Sequence, residues 1–238
     1  MKKALLLSLL LVAPGVHAQL EKTDVHIAVG GKSGLYYLPL VLTERLNHFK
    51  DEGLNVRISD FAGGTRSLEA VVGGSADVVA GAYEHTINMQ SRKQSFQAFV
   101  LAGASPQISV AISSKLAEKY KSPKDLKGLK VGVSAPGSST NMVVNYLLAQ
   151  GGLKPTDVAI IGIGAGASVI AAMEQGRVDV VSQTDPAVTM LEKDGKVKVI
   201  AETRTPEGTQ RLFGGRCRRA ACTRRSTSSR RTRTPYRL

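Results

Sequence analysis

The sequence predicts an α/β protein of two similar lobes, each a mostly parallel sheet flanked by helices. Three observations predict it. Short β-type runs alternate with segments of helical periodicity. The alternation occurs twice, at an offset of 102 residues. Each copy places small, glycine-rich loops after its strands and before its helices.

The repeat aligns without a gap. Val29-Gly30 falls on Val131-Gly132, Val41-Leu42 on Val143-Val144, Gly64 on Gly166, and Asp77-Val78-Val79 on Asp179-Val180-Val181. A period this long suggests two domains rather than a solenoid. In the first copy, His26 to Gly30 predicts a strand and Leu38, Val41, Leu42 and Leu46 recur at helical spacing. Asn55 to Phe61 predicts the next strand, Ser67 to Val72 a helix stopped by Gly73-Gly74, and Ala76 to Ala80 a third strand. The second copy repeats this with Leu129 to Val133, Asn141 to Gln150, Val158 to Ile163, Ser168 to Gln175 and Val178 to Ser182. Right-handed βαβ crossovers follow from that order. Phe96 to Leu101, Ile108 to Ile112 and Lys196 to Ala201 predict further strands, and Ser122 to Leu126 a turn into a short helix.

The chain has 238 residues, 42% apolar and 21% charged, enough for a buried core and too apolar for disorder throughout. Two cysteines, Cys217 and Cys222, exclude a disulfide scaffold. The net charge of +13 is uneven. Ten Arg and no acid fall between Arg211 and Leu238, whereas residues 19–210 carry a net of +1. A nearly neutral body argues against a nucleic-acid partner, although the Arg run would bind polyanions non-specifically. Lys2-Lys3, the apolar run Ala4 to Ala13, Pro14-Gly15 and Val16-His17-Ala18 have the order of a secretory signal peptide, with cleavage expected after Ala18. Enzyme classes find little footing. Gly162-Ile163-Gly164-Ala165-Gly166-Ala167 fits a dinucleotide fingerprint but lies on the second strand of its unit rather than the first. No H-E-x-x-H or G-x-S-x-G is present, and His26, His48 and His85 have no metal spacing. No cofactor and no catalysis are expected.

In open parallel sheets, ligands bind beyond the carboxyl ends of the strands. The loops leaving those ends are Gly30-Gly31-Lys32-Ser33-Gly34, Ala62-Gly63-Gly64-Thr65, Ser134 to Thr140, and Gly162 to Gly166. A helix start offers unpaired N–H groups and a partial positive charge. Glycine admits a ligand close to the backbone, and Ser or Thr adds a neutral hydrogen bond. Paired loops across a cleft would hold a small anion or polar molecule without a formal cation. The loops after the third strands, Gly81 to His85 and Gln183 to Pro186, differ. Tyr83 could stack on a ligand, and Glu84 and Asp185 could accept from its N–H or O–H groups. For Asp185, capping the helix after Pro186 is an equal alternative.

These residues resemble a periplasmic solute-binding protein of an ABC importer, in the nitrate/sulfonate/taurine group that also includes thiamine-pyrimidine-precursor binders. The resemblance is carried by the leader, Ile27-Ala28-Val29-Gly30 with Tyr36-Tyr37-Leu38-Pro39, and Phe49 to Leu54. Gly63-Gly64-Thr65, the Gly-x-x-Asp-Val strands at Gly74 and Gly176, Lys124 to Gly128, and Ala135 to Thr140 extend it over about residues 20–215. It implies a type II-like binding-protein fold whose lobes close on a solute, and a monomer that docks on an inner-membrane ABC permease. The implied cleft residues are Ser33, Gly34, Leu35, Tyr36, Gly64, Thr65, Tyr83, Ser138, Ser139, Thr140, Gly166 and Asp185. An anion of the sulfonate, taurine or nitrate kind fits the helix starts. An aminopyrimidine would suit Tyr83 with Glu84 and Asp185.

The expected organisation is a leader over 1–18, lobe one over 19–105, lobe two over 106–200, and the start of a return crossover over 201–215. Residues 216–238 depart from the family's pattern: Arg-rich, without Lys, acid or period. They are expected to be disordered. Codons can be chosen so that the preceding frame encodes a family-like return segment, so a frameshift is expected. Lobe one would then lack part of its covering, leaving apolar surface and a strand edge open and the chain aggregation-prone or inactive.

Overall fold

A computed structural model of the chain describes residues 22–215 and 219–225. The expected leader and the last part of the Arg-rich stretch lie outside the described residues.

Lobe one begins with β1 (Asp24–Gly30), a 3-10 turn (Leu35–Tyr37), α1 (Leu38–Arg45) and α2 (His48–Asp51). It continues through β2 (Asn55–Phe61), α3 (Gly64–Val72), β3 (Val78–Ala80), α4 (Glu84–Ser91) and β4 (Phe96–Gly103). Lobe two holds β5 (Ile108–Ser113), a 3-10 turn (Pro123–Leu126), β6 (Lys130–Val133), α5 (Ser139–Gln150) and β7 (Ala159–Gly162). Then come α6 (Ala167–Glu174), β8 (Val180–Thr184), α7 (Ala187–Lys193), β9 (Val197–Glu202) and α8 (Pro206–Phe213). The chain re-enters lobe one as β10 (Arg219–Arg225).

The two sheets have corresponding orders, β2-β1-β3-β10-β4 and β7-β6-β8-β5-β9. Each is mixed, with four strands running one way and one running against them. The second strand in each order, β1 or β6, pairs in parallel with both neighbours, as βαβ units require. The fourth strand, β10 or β5, is antiparallel to both of its own neighbours. That strand is in each case the one that has just crossed from the other lobe, so it enters from the opposite end. The repeat gave the parallel strands. The direction of an incoming crossover strand is not written in its periodicity.

Two expected boundaries are corrected. Residues 201–215 belong to lobe two. Thr205 caps α8 by accepting from the Gly208 N–H at 3.0 Å, Pro206 sits at its start, and Gly214 ends it in the left-handed region. Leu212 is buried in the lobe-two core, and Gln150 Nε2 donates to the Leu212 carbonyl at 2.8 Å. The second crossover therefore lies after Phe213. Within the stretch expected to be disordered, residues 219–225 form a strand. Backbone pairing in a slot flanked by two open strands does not depend on side-chain period. The fit is irregular, with register shifts between Arg219 and Thr223 against β4.

Packing follows the pleat. Along β5, Val110 belongs to one core cluster and Ala111 to the cluster on the other face. Along β1, Ala28 packs against Leu68 and Val71 of α3, while Ile27 and Val29 face the other way toward Tyr37, Leu40 and Phe49. Among the described residues, that second face of lobe one is only partly covered. A trough of about 840 Å³ is lined there by Val25, Ile27, Val56, Val78, Leu40 and Phe49, among others.

Candidate functional site

The loops after β1, β2, β6, β7 and β8 converge between the lobes. Gly31 and Lys32 donate their N–H groups to Asp60 Oδ1 at 2.8 and 2.9 Å, folding the β1 loop over the end of β2. Gly30 can lie there because it has no side chain: a Cβ would sit 2.3 Å from the Gly63 carbonyl carbon. Across the cleft, Ser134, Ser138 and Thr140 form a closed hydroxyl triangle with sides of 3.0, 3.0 and 2.7 Å. The Thr140 hydroxyl also accepts from the Ser134 N–H at 3.0 Å, and Ser182 donates to the Thr140 carbonyl at 2.8 Å. This network fixes the first turn of α5.

Between them lies a cavity of about 20 Å³, room for roughly one water molecule. Its walls include Gly30, Gly31, Tyr36, Gly64, Ser139 and Gln183. None of the lining residues is an acid, a Lys, an Arg or a His. Gly64 opens α3 and Ser139 opens α5, so two helix starts with their partial positive charge face this space. The nearby charges are spent elsewhere. Lys32 Nζ pairs with Glu44 at 2.5 Å. Among the described residues no group of three His, Cys, Asp or Glu could hold a metal ion.

The lobes touch around the cavity. The Leu35 N–H donates to the Asp185 carbonyl at 2.8 Å, and Thr65 Oγ1 donates to the Pro136 carbonyl at 3.1 Å. Glycines form much of the contact. A Cβ on Gly34 would lie 2.8 Å from Thr184 Oγ1, one on Gly63 2.9 Å from Ala135 Cβ, and one on Gly166 2.7 Å from Ser33 Oγ.

The sequence-predicted residues divide into three groups. Tyr36, Gly64, Ser139 and Thr140 line the cavity. Ser33, Gly34, Thr65 and Gly166 meet across the lobe interface, and Ser138 supports the wall through its hydroxyl triangle. Leu35, Tyr83 and Asp185 do not present their side chains to the cavity. The Leu35 side chain is 51% exposed and only its backbone bridges the lobes. Tyr83 is 45% exposed and lies on the open trough of lobe one, because its place before α4 turns the ring to the far face of the sheet. The Asp185 carboxylate caps α7, accepting from the Thr189 N–H at 3.1 Å and the Thr189 hydroxyl at 2.8 Å. It also faces Arg204 at 3.8 Å.

Residue-type reasoning passed over Gln183, Thr184, Tyr37 and Ala165, all of which line the cavity. Their position at strand ends was the available signal. It also left out His85. This side chain is 3% exposed and its Nε2 has no hydrogen-bond partner. The ring lies behind the start of α3, with Nε2 2.9 Å from where a Gly64 Cβ would be. Burial pushes its pKa down to about 4, so the imidazole is neutral at neutral pH.

Two α/β lobes closing a neutral, hydroxyl- and amide-lined cavity have the fold of type II periplasmic binding proteins. The chain belongs to the NMT1/THI5-like family, whose profile matches residues 35–207. It is 28% identical over 153 residues to the taurine-binding periplasmic protein of Escherichia coli K12, covering 64% of this chain and 46% of that one. A solved structure of a Bordetella bronchiseptica RB50 protein shares 53% identity at a TM-score of 0.85, over 87% of this chain and 65% of that chain. The alkanesulfonate-binding protein SsuA of Xanthomonas axonopodis pv. citri, bound to MOPS, has the same fold at 21% identity and a TM-score of 0.64. That match covers 87% of this chain and 67% of that chain. The chain thus spans less than half of its curated relative and about two thirds of these solved structures.

Proposed function

We propose that this protein is the extracytoplasmic solute-binding component of an ABC importer. It captures a small anionic solute of the sulfonate, taurine or nitrate kind between its lobes and delivers it to an inner-membrane permease. It works as a monomer in the periplasm after cleavage behind Ala18, without a nucleic-acid partner and without catalysing a reaction. The observation that carries this reading is the acid-free cavity between the starts of α3 and α5. Helix N-termini and neutral donors stabilise an anion without a counter-charge that would hold it too tightly for release. The family and the taurine-binding relative support the same class.

The cavity of about 20 Å³ is smaller than any of these solutes, so the lobes must separate to load it. A hinge opening of this kind needs the interlobe contacts to be weak, and van der Waals contacts at glycine with two hydrogen bonds meet that need. An aminopyrimidine calls for acceptors on the cavity wall, and the Asp185 carboxylate and the Tyr83 ring are directed elsewhere. Isothermal titration of the purified chain with taurine, alkanesulfonates, nitrate and aminopyrimidines tests the assignment. Saturable binding of an anion is expected. Binding of a pyrimidine alone would replace the anion reading, and binding of neither would refute the site.

A further inference from the structure

Arg204 stands where three parts of the molecule meet. It follows β9, and its carbonyl accepts from the Ser105 hydroxyl at 3.1 Å, in the crossover that joins β4 to β5. The neighbouring Thr203 carbonyl accepts from the Gln107 N–H of the same crossover at 2.9 Å. The Arg204 side chain reaches the β8–α7 turn. Its Nε and Nη2 each lie 2.7 Å from Glu202 Oε2, which fixes the plane of the guanidinium. The remaining nitrogen, Nη1, is 3.8 Å from Asp185 Oδ2 and 3.7 Å from Glu192 Oε2. One cation thus serves three carboxylates, which would repel one another without it. Of the three, only Asp185 lies on a turn. That turn carries the lobe contact. The Asp185 carbonyl accepts from the Leu35 N–H of lobe one at 2.8 Å, and Gln183 and Thr184 just before it line the cavity.

We infer that Arg204 is a positioning residue of the interlobe site: its ion pair with Asp185 holds the β8–α7 turn where the Asp185 carbonyl meets the Leu35 N–H, and so sets how firmly the lobes hold a solute. The inference rests on the anion reading above and adds to it a residue that does not line the cavity. The Asp185 carboxylate, expected from the sequence to meet the solute, acts through its own backbone instead. Because Arg204 is also bonded to the β4–β5 crossover, the turn is held in register with the segment about which the lobes part.

The full chain is titrated calorimetrically with methanesulfonate, taurine and nitrate, as wild type, Arg204→Gln, Asp185→Asn and the double variant. Asp185→Asn keeps an oxygen for Thr189 and loses the charge that faces Arg204. For the best wild-type probe, each single variant should weaken binding by about three- to tenfold, and the double variant by no more than the more affected single one. Amide hydrogen exchange, read by NMR on the probe-saturated proteins, supplies a signal that general loosening of lobe two would not give. Leu35 should exchange faster in the variants, while Val131 and Val181 of the lobe-two sheet keep their wild-type rates. If Arg204→Gln does not fold, Asp185→Asn carries the same expectation. Unchanged affinity in a folded single variant, additive losses in the double variant, or equal acceleration at Leu35, Val131 and Val181 overturns the role of Arg204 and leaves the anion reading intact. If no probe binds wild type, the anion reading falls, and Leu35 exchange in the solute-free proteins decides for Arg204: a faster rate in Arg204→Gln supports it, and an equal rate overturns it.

Discussion

Gly63→Ala separates closure of the lobes from their folding. Gly63 has φ 162° and ψ 168°, an extended conformation open to any residue, so the substitution adds no backbone strain. The new methyl group would meet Ala135 Cβ at 2.9 Å, the Ala135 nitrogen at 3.2 Å and the Ser134 carbonyl carbon at 3.2 Å. All three atoms belong to the opposite lobe, and none can rotate away. Carbon atoms prefer about 3.5–4.0 Å, so the lobes must move apart by roughly 1 Å at this point. The penalty falls on the closed form and should resemble other overpacking, about 1–3 kcal/mol. A coupling of that size lowers solute affinity by roughly 5- to 150-fold, with little change in thermal stability without solute. Gly81→Ala is the control, because its Cβ would meet nothing closer than Val79 Cγ2 at 3.5 Å. Titration calorimetry with the anion that binds wild type measures both. Equal affinity in Gly63→Ala and wild type would refute glycine-mediated closure.

Leu148→Ala, at a fully buried position in the lobe-two core, should destabilise the protein by about 2–5 kcal/mol in urea melts. His85 is held near pKa 4 by burial, against an ordinary value of 6.5, so the unfolded chain binds its proton first on acidification. Its contribution is intact above pH 6.5 and is lost as the pH falls toward 4, with a slope of up to about 1.4 kcal/mol per pH unit. Urea melts between pH 7 and 4.5 should show a shallower acid slope in His85→Gln than in wild type. The Asp77 carboxyl is held below its ordinary value of 3.8 by hydrogen bonds from Lys22 and the His26 N–H. That stabilisation is present above pH 3.8 and fades below it, so Asp77→Asn should lower the melting temperature at pH 7 and show a smaller further loss near pH 3.

The partly covered face of lobe one joins two observations made at different levels. Its lining of Val25, Ile27, Val56 and Val78 is the inward half of an alternating strand pattern. Strands of that pattern expect cover on both faces, and α1 and α2 supply only part of it. Leu38, Leu42 and Leu46 on and beside α1 are correspondingly 43%, 47% and 58% exposed. Among the described residues, the exposed apolar surface of this lobe includes these leucines. The strand edge expected beside it is occupied by β10, which leaves β4 as the outer strand.

By itself the sequence determined the duplicated strand–helix units, because apolar periodicity and glycine punctuation are local properties of the chain. β2 matches its predicted bounds at Asn55 and Phe61, and most other predicted elements fall within a few residues of theirs. It also determined that strand-end loops would supply the site, since that follows from connectivity. Which side chains enter the cavity was decided only in three dimensions. Tyr83 and Asp185 sit on loops of the right kind, yet helix phase directs one to the trough and the other to Thr189. His85 was visible as a residue and not as a neighbour of Gly64, because the two are joined by packing between α3 and α4 rather than by spacing. The same holds for β10: its pairing rests on two open edges built from distant parts of the chain, and no local pattern records an edge.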